Sequence, residues 1–508
     1  MAMTFLHALR LNARRFPHKD AVVFNGQRQS YGVFYDRVER MMTVLHARGI
    51  VAGDNIAIIS ENHPDFLTAY FAITGLGAIP APVNYRIGVD VMAFVVQRAD
   101  AKMVLLGESV QGHAALFEPL VAHVLAMGDS AGTSGLPLIG DLIDATEPNP
   151  PQGQDGTAIM LHTSGTTGKP KGAVRSRFGL EERALDQGFR PDDLALCALP
   201  VCLSAGCTYV LLPLYLGATA YLEPSFDAAK ILSLIESERL TATMMLPAML
   251  QRLTDEDAFE TADLGSIRTL QTGGGELYAD LKRKLLDKFG DALTIYAASS
   301  EAGPYANLTA ADLRNNMSGN CVGRPFFGVD LKLLDDDGNE VPQGEVGEIC
   351  TRSESRFDGY YKDEALTKST QRGDYVTVGD LGRIDEDGLL WFTGRKRDII
   401  KSGGINVFAP EIDEALSEHP DIREAHCIAM PDPRWTERIC AVIVAEPGSG
   451  LQADDVTAFA EQRLDKYKKP RQIVFLDAVP RNLTGRVLKD ELKQMVLAMG
   501  ADTKETTT

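Results

Sequence analysis

The chain has 508 residues, 44% of them hydrophobic and 24% charged, with a formal net charge of −19 at pH 7. The length exceeds one typical domain, so two or three cores are expected, and the composition is that of a globular protein. The acidic balance excludes non-specific binding to nucleic acid or to an anionic membrane surface, which need a basic face, so an anionic ligand must be met by local basic patches.

Residues 1–15 mix Leu and Phe with Arg10, Arg14 and Arg15, without a continuous apolar core or a small-residue cleavage site. An amphipathic first helix is expected, and no signal peptide. Short β-rich runs follow at 56–60, 103–106, 158–161, 194–199, 243–246, 267–271 and 293–297. Amphipathic segments such as 228–238 and 278–289 lie between them. This alternation favours an α/β fold of parallel or mixed sheets flanked by helices. Residues 194–222 are the longest uncharged stretch, broken by Pro200, Gly206, Pro213 and Gly217. They read as a buried strand–helix–strand and not as a membrane span.

From about Val329 the strands shorten and turn residues multiply, as at 334–339, which predicts a β subdomain. A Gly-Arg-Lys-Arg run at 394–397 makes a charged break after a strand at 390–393. Beyond it the pattern predicts a helix at 410–419, strands at 424–430 and 438–445, a helix at 453–464, a strand at 472–475 and a helix at 488–498. That is enough for a separate small α+β domain. The polar tail is expected to be disordered.

Cys197, Cys202 and Cys207 recur every five residues inside the apolar run, a spacing that suits small core hydrophobes better than metal ligands. The histidines form no metal-type pair. A reduced, cytoplasmic setting is expected.

The most informative stretch is 163–172, T-S-G-T-T-G-K-P-K-G, directly after the apolar run 158–161. Glycines let backbone N–H groups approach an anion, hydroxyls donate hydrogen bonds and lysines supply charge, which is the chemistry of holding a polyphosphate. The spacing differs from the common nucleotide loop, because only Thr166 and Thr167 separate Gly165 from Gly168-Lys169 and Pro170 follows. Three further clusters carry chemistry. Gly273-Gly274-Gly275 follows a strand. Glu301 follows Ser299 and Ser300 at a strand end, where α/β sheets bind ligands. Asp380, within Val378–Gly382, reads as a lone carboxylate in a turn, able to grip a ribose diol. Taken singly, each is an ordinary turn or surface residue.

In this order and spacing, together with Gly394-Arg395, Lys401–Gly404, Pro410-Glu411-Ile412 and 480–489, these motifs resemble the adenylate-forming superfamily of acyl-CoA synthetases, adenylation domains and luciferases. The resemblance covers nearly the whole chain. It implies an N-terminal adenylation domain at 1–393, a hinge at 394–397, a small mobile C-terminal domain at 398–498 and a tail at 499–508. It implies that Ser164, Gly165, Thr166, Thr167, Gly168 and Lys171 hold the ATP phosphates, with Thr163, Lys171, Glu301 and Arg486 in catalytic positions. Glu301 is the implied Mg²⁺ ligand. Gly273, Gly274, Gly275, Ala297, Ala298, Ser299 and Ser300 would line the nucleotide site, and Asp380 and Arg395 would hold the ribose. Lys401, Gly403 and Gly404 would line the thiol tunnel, and Arg397 would be the hinge. Cys202, Leu203, Ser204, Gly275 and Ala298 would form the acid pocket. The basic cluster Lys466, Lys468, Lys469 and Arg471 is either a site for coenzyme A phosphates or a solvated face.

Three positions depart from the family pattern. Arg486 stands where a lysine is usual, and a planar fork does not replace an ammonium at a crowded site. Ala297 replaces an adenine-stacking tyrosine, a loss of about 1 kcal/mol unless Tyr296 takes its place. Cys202 and Leu203 replace an aromatic-His pair and leave a smaller, more apolar pocket wall. The resemblance implies an AMP-forming carboxylate–CoA ligase for a small aliphatic or aryl acid, using ATP, Mg²⁺ and coenzyme A. Alternatives from the same superfamily form amides, load carrier proteins or activate nitrite for diazotisation. No nucleic acid or membrane span is expected, and a homodimer is left open.

Overall fold

A computed structural model gives the fold, describing residues 3–151, 155–163, 170–179, 184, 186–275, 277–403, 405–481 and 487–499. The phosphate-motif residues Ser164, Gly165, Thr166, Thr167, Gly168 and Lys169, together with Gly404 and Arg486, lie outside the described residues, as does the Thr163 side chain.

The largest sheet has fourteen strands among the described residues. Its first half is mostly parallel. From Asp20–Phe24 it passes through Thr219–Leu222, Leu194–Cys197, Ala242–Met244 and Thr269–Gly273 to Leu293–Ser299, every pair in parallel register. Polar residues are few in these strands because both faces are covered. One apolar cluster packs on one face, including Leu199, Cys207, Leu211 and Met244, and a second on the other, including Leu196, Ile231, Leu270 and Leu285. The expected strand–helix–strand is Leu194–Cys197, Ser204–Leu216 and Thr219–Leu222. Its helix ends where Gly217 turns into the left-handed region at φ +85°. At thirteen residues it spans only about 20 Å, short of a bilayer core. No helix among the described residues is long and apolar enough to cross a membrane.

At Glu301 the chain reverses, and Gly303–Thr309 runs antiparallel to Leu293–Ser299. The ladder continues antiparallel through Cys321–Pro325, Leu390–Arg395, Tyr375–Ile384 and Gly347–Arg352 to Asp330–Leu334. The β-rich region expected after Val329 is thus hydrogen-bonded into the main sheet and does not form one of its own. The strand expected to stop at 393 runs on to Arg395, and a short 3₁₀ turn, Lys396–Asp398, follows.

Two smaller sheets complete this part. Ile79–Val83, Asn55–Ile59, Ala101–Leu106 and His123–Ala126 form a parallel sheet. Ile159–Thr163, Lys171–Arg175 and Gly359–Tyr360 form an antiparallel one.

The described strands from Ile400 onward form a five-stranded sheet. In Thr436–Ala445 the alternation is strict. Ile439, Ala441 and Ile443 face the helices Ala409–Ser417 and Ala453–Arg463, and Cys440, Val442 and Val444 face Lys489–Met499. All seven cysteines are buried and free, in keeping with their reading as core residues.

Candidate active site

The carboxyl ends of four neighbouring parallel strands lie along one edge of the main sheet. They lead into 198–203, 245–247, 273–275 and 299–301. Open parallel sheets bind ligands at such an edge.

The Gly273–Gly275 segment is built for close approach. A Cβ at Gly273 would stand 2.3 Å from the Tyr296 carbonyl oxygen on the next strand, and Gly274 has φ +79°. At Gly275 the nearest atom to an added Cβ is Pro247 Cγ at 3.4 Å, which places the 245–247 loop beside the glycines. Ala298 is exposed at this edge, with Ser299 and Ser300 half-buried beside it. The Ser299 hydroxyl accepts from the Ala302 N–H at 2.8 Å and closes the turn.

Glu301 sits in that turn and is buried. The Tyr360 hydroxyl donates to its Oε1 at 2.6 Å, and the Phe357 N–H donates to its main-chain oxygen at 2.7 Å. Lys171 Nζ lies 5.8 Å from the centre of the Tyr360 ring, within cation–π range. The strand Gly359–Tyr360 pairs with Lys171–Arg175, with Tyr360 opposite Ala173, so one short ladder ties the end of the phosphate motif to Glu301. Burial first, then the Glu301 charge, pushes the Tyr360 phenol far above its ordinary range and keeps it a neutral donor. Arg175, on the same strand, is buried under the loop and donates to the carbonyls of Ser299 and Ser300. Desolvation lowers its pKa to about 10, still charged at neutral pH.

Asp380 does not lie in a turn, contrary to the sequence expectation. It sits in the ten-residue strand Tyr375–Ile384, where Gly379 at φ +77° kinks the chain without ending the strand. Nor is the carboxylate lone. Arg395, opposite it in the ladder, places Nε 2.9 Å from Oδ1. The buried Tyr305 hydroxyl donates to Oδ2 at 3.5 Å. Ala297 packs in the same small cluster as Tyr305. Tyr296 does not take the place of the missing aromatic there: it packs against the opposite cluster, where its hydroxyl reaches Met244 Sδ at 3.3 Å.

The 198–203 loop hangs on Asn62. The Asn62 amide donates to the carbonyls of Leu199 at 2.9 Å and Glu223 at 2.8 Å, and its Oδ1 accepts from the Val201 N–H at 2.8 Å. Cys202 is buried, with its thiol turned to the Tyr85 backbone and its pKa pushed up to about 12 by burial. Leu203 and Tyr296 pack on the same apolar cluster as Cys202, Met244 and Leu246. Ser204 opens the helix Ser204–Leu216.

At the start of the C-terminal sheet, the Lys401 N–H donates to Glu437 at 2.7 Å and the Gly403 N–H to the Trp435 carbonyl at 2.9 Å. Gly403 has φ +60°, and a Cβ there would meet the Trp435 ring at 2.7 Å. The Arg471 guanidinium lies 4.3 Å from the centre of that ring. Lys468 is paired with Glu411 and Asp465, and Lys469 with Glu461, so much of the charge in the basic cluster is matched by protein carboxylates. Arg397 pairs with Asp398 at 3.4 Å, while Lys396 reaches Asp336 at 2.6 Å and the buried Glu348 at 3.4 Å.

The structure thus gathers Lys171, Glu301 and Ser299–Ser300 at one end of the edge and Gly273–Gly275 and the 198–203 loop along it, with Asp380 and Arg395 linked to it through Tyr305, which packs in the same cluster as Ala297. Sequence reasoning missed Arg175, Tyr305 and Tyr360. A tyrosine following a glycine was the only local signal for Tyr360, and the other two gave none.

A family model described as AMP-binding enzyme matches residues 9–361, and one described as AMP-binding enzyme C-terminal domain matches residues 411–486. The chain is 32% identical to a feruloyl-CoA synthase of Amycolatopsis over 95% of this chain and 97% of that protein. It is 31% identical to an indoleacetate–CoA ligase of Aromatoleum aromaticum over 94% and 96% of the two chains. Among solved structures, the amide bond synthetase McbA from Marinactinospora thermotolerans superposes with a TM-score of 0.88 at 26% identity, over 97% of this chain and 99% of that one. A match of this extent to the family models, with relatives above 30% identity over nearly the whole chain, makes the chain a member of the AMP-binding enzymes, the adenylate-forming superfamily to which the acyl-CoA ligases belong.

Proposed function

We propose that this AMP-forming acid–CoA ligase activates a small aliphatic or aryl carboxylic acid with Mg-ATP and passes the acyl group to coenzyme A. The observation that carries this reading is the Lys171–Tyr360–Glu301 arrangement at the carboxyl edge of the parallel strands. The apolar wall of Cys202, Leu203, Leu246 and Tyr296 favours an aryl group. The two curated relatives, named for ferulate and indoleacetate, point the same way.

In the first half-reaction, a carboxylate oxygen of the acid attacks the α-phosphorus of ATP. The bond to the bridging oxygen breaks, and pyrophosphate leaves with the electron pair. Lys171 and the motif 163–168 hold the leaving phosphates, and Arg486 stands at the lysine position that bridges acid and phosphate. Asp380 and Arg395 hold the ribose hydroxyls. Glu301 suits a hard divalent cation, because its carboxylate is buried, keeps an oxygen beside the one taken by Tyr360 and stands next to the phosphate strand. When bound, Mg²⁺ neutralises the charge that develops on the pyrophosphate. In the second half-reaction, the thiol sulfur attacks the acyl carbonyl and loses its proton, and AMP departs. Rotation at Arg397 brings the Lys401–Gly403 surface to the adenylate in place of Arg486. The division at 394–397 into an N-terminal and a C-terminal domain belongs to this reading.

A second reading keeps adenylation but gives the acyl group to an amine. It is supported by the likeness to McbA and by Arg486 in place of lysine. One screen separates the two. ATP–pyrophosphate exchange is measured over a panel of aryl and aliphatic acids, with nitrite included, and AMP release is then followed with coenzyme A or with amines. Exchange with an acid and AMP release only with coenzyme A supports the ligase; release driven by amines overturns it. The free buried cysteines support a cytoplasmic placement, and sedimentation would show whether the chain is a homodimer.

A further inference from the structure

Glu301 is held by contacts from outside its own loop. Tyr360 donates to its Oε1 from one side at 2.6 Å. Arg175 donates from beneath to the carbonyls of Ser299, at 3.4 Å, and Ser300. Arg175 is 2% exposed, forms no ion pair among the described residues, and has an Nε without a partner. Burying a guanidinium is costly, and an apolar side chain would fill the same volume without that cost. Its hydrogen bonds go to the two carbonyls that precede Glu301, and the foremost opposite charge acting on it is the Glu301 carboxylate, so the guanidinium secures the path of that loop and the charge it carries.

We propose that Arg175 and Tyr360 are positioning residues for the Glu301 carboxylate: Arg175 fixes its loop from below, Tyr360 occupies Oε1, and together they present the second oxygen to the divalent cation that accompanies ATP. This rests on the reading of Glu301 as a cation ligand. The two residues act through one ladder. Tyr360 is opposite Ala173, and Lys171 and Arg175, four apart on that strand, lie on the same face. The register of a single strand therefore sets the spacing between the phosphate lysine and the cation carboxylate. The same strand binds the loop from one end and the phosphates from the other.

The test uses Mn²⁺ as probe on the full chain with ATP and no acid. Free Mn²⁺ is followed by electron paramagnetic resonance, beside the Mg²⁺ dependence of ATP–pyrophosphate exchange with an active acid. Tyr360→Phe and Arg175→Met are each expected to weaken Mn²⁺ binding about tenfold, the scale of one lost charge-assisted hydrogen bond. Binding of metal-free ATP should fall less than binding of Mn²⁺. The Mg²⁺ concentration for half-maximal exchange should rise, with kcat recovering at saturating Mg²⁺. Arg175→Lys should restore part of the loss. Glu301→Gln, as reference, should weaken Mn²⁺ binding more than either. If Glu301→Gln weakens binding while Tyr360→Phe and Arg175→Met do not, the positioning role is overturned and the Glu301 reading stands. If Glu301→Gln leaves Mn²⁺ binding intact, both fall. Parallel loss of ATP and Mn²⁺ binding with a lowered melting temperature also overturns the proposal, since that is damage to the fold. Should Arg175→Met not fold, Tyr360→Phe and Arg175→Lys decide.

Discussion

Arg395 and Asp380 face each other across an antiparallel ladder, with Nε 2.9 Å from Oδ1. The arginine lies beside one carboxylate oxygen and the Tyr305 hydroxyl donates to the other. Asp380→Asn keeps the shape and removes the charge. It should raise the KM for ATP about ten- to a hundredfold with a smaller change in kcat, as read from ATP titrations of pyrophosphate exchange. An unchanged KM would remove Asp380 from the nucleotide site.

Arg486→Ala should depress adenylate formation and spare thioester formation from a pre-made acyl adenylate. The two half-reactions are measured separately, by pyrophosphate exchange and by CoA thioester yield. Equal loss in both would sink the role assigned to Arg486.

Arg397→Pro should do the converse. Proline fixes φ and restricts the residue before it, here Lys396, which is tied to Asp336 and Glu348. Adenylation should persist while thioester formation falls. A normal second half-reaction would rule out the hinge.

Gly273→Ala places a methyl group 2.3 Å from the Tyr296 carbonyl, a backbone atom that cannot swing aside. Destabilisation of about 1–3 kcal/mol is expected in denaturant unfolding. Wild-type stability in this variant would show that the strands separate more easily than their packing implies.

How much of this was legible beforehand varies with the range of the interactions. The helix Ala228–Glu238 was legible because its own Asp227 caps it, accepting from the Lys230 N–H, and its apolar face repeats locally. The 163–172 stretch and Glu301 stood out as residue types at fixed spacing; the structure describes Glu301, while residues 164–169 lie outside the described residues. The setting of Asp380 was not. A Gly-Asp pair resembles a turn, and only Arg395 on another strand shows that the ladder continues through it. Tyr360 and Arg175 were invisible because their partners lie 59 and 125 positions away.

His162 offers a pH test. Its Nδ1 donates to the Pro82 carbonyl at 3.0 Å, and burial lowers its pKa from 6.5 to about 4. The folded state therefore prefers the neutral ring. Stability is full above the unfolded pKa and declines as pH falls from 6.5 towards 4. His162→Asn, which keeps a donor near Nδ1, should flatten this acid limb by about 2–3 kcal/mol at about pH 4.5 relative to wild type. Parallel stability–pH curves for the two proteins would refute the buried neutral ring.

Two of the three hydrogen bonds of Asn62 hold the backbone of the 198–203 loop, at Leu199 and Val201, and the third ties it to Glu223 beyond the neighbouring strand. On the proposed reading, in which Cys202 and Leu203 line the acid pocket, anchorage and selectivity are separable. Cys202 and Leu203 can be exchanged by evolution, or by a library of variants, while the loop keeps its course and the phosphate end of the site stays untouched. On that reading, a change of acid preference is expected from single substitutions at 202 and 203 that leave the Asn62 anchor in place.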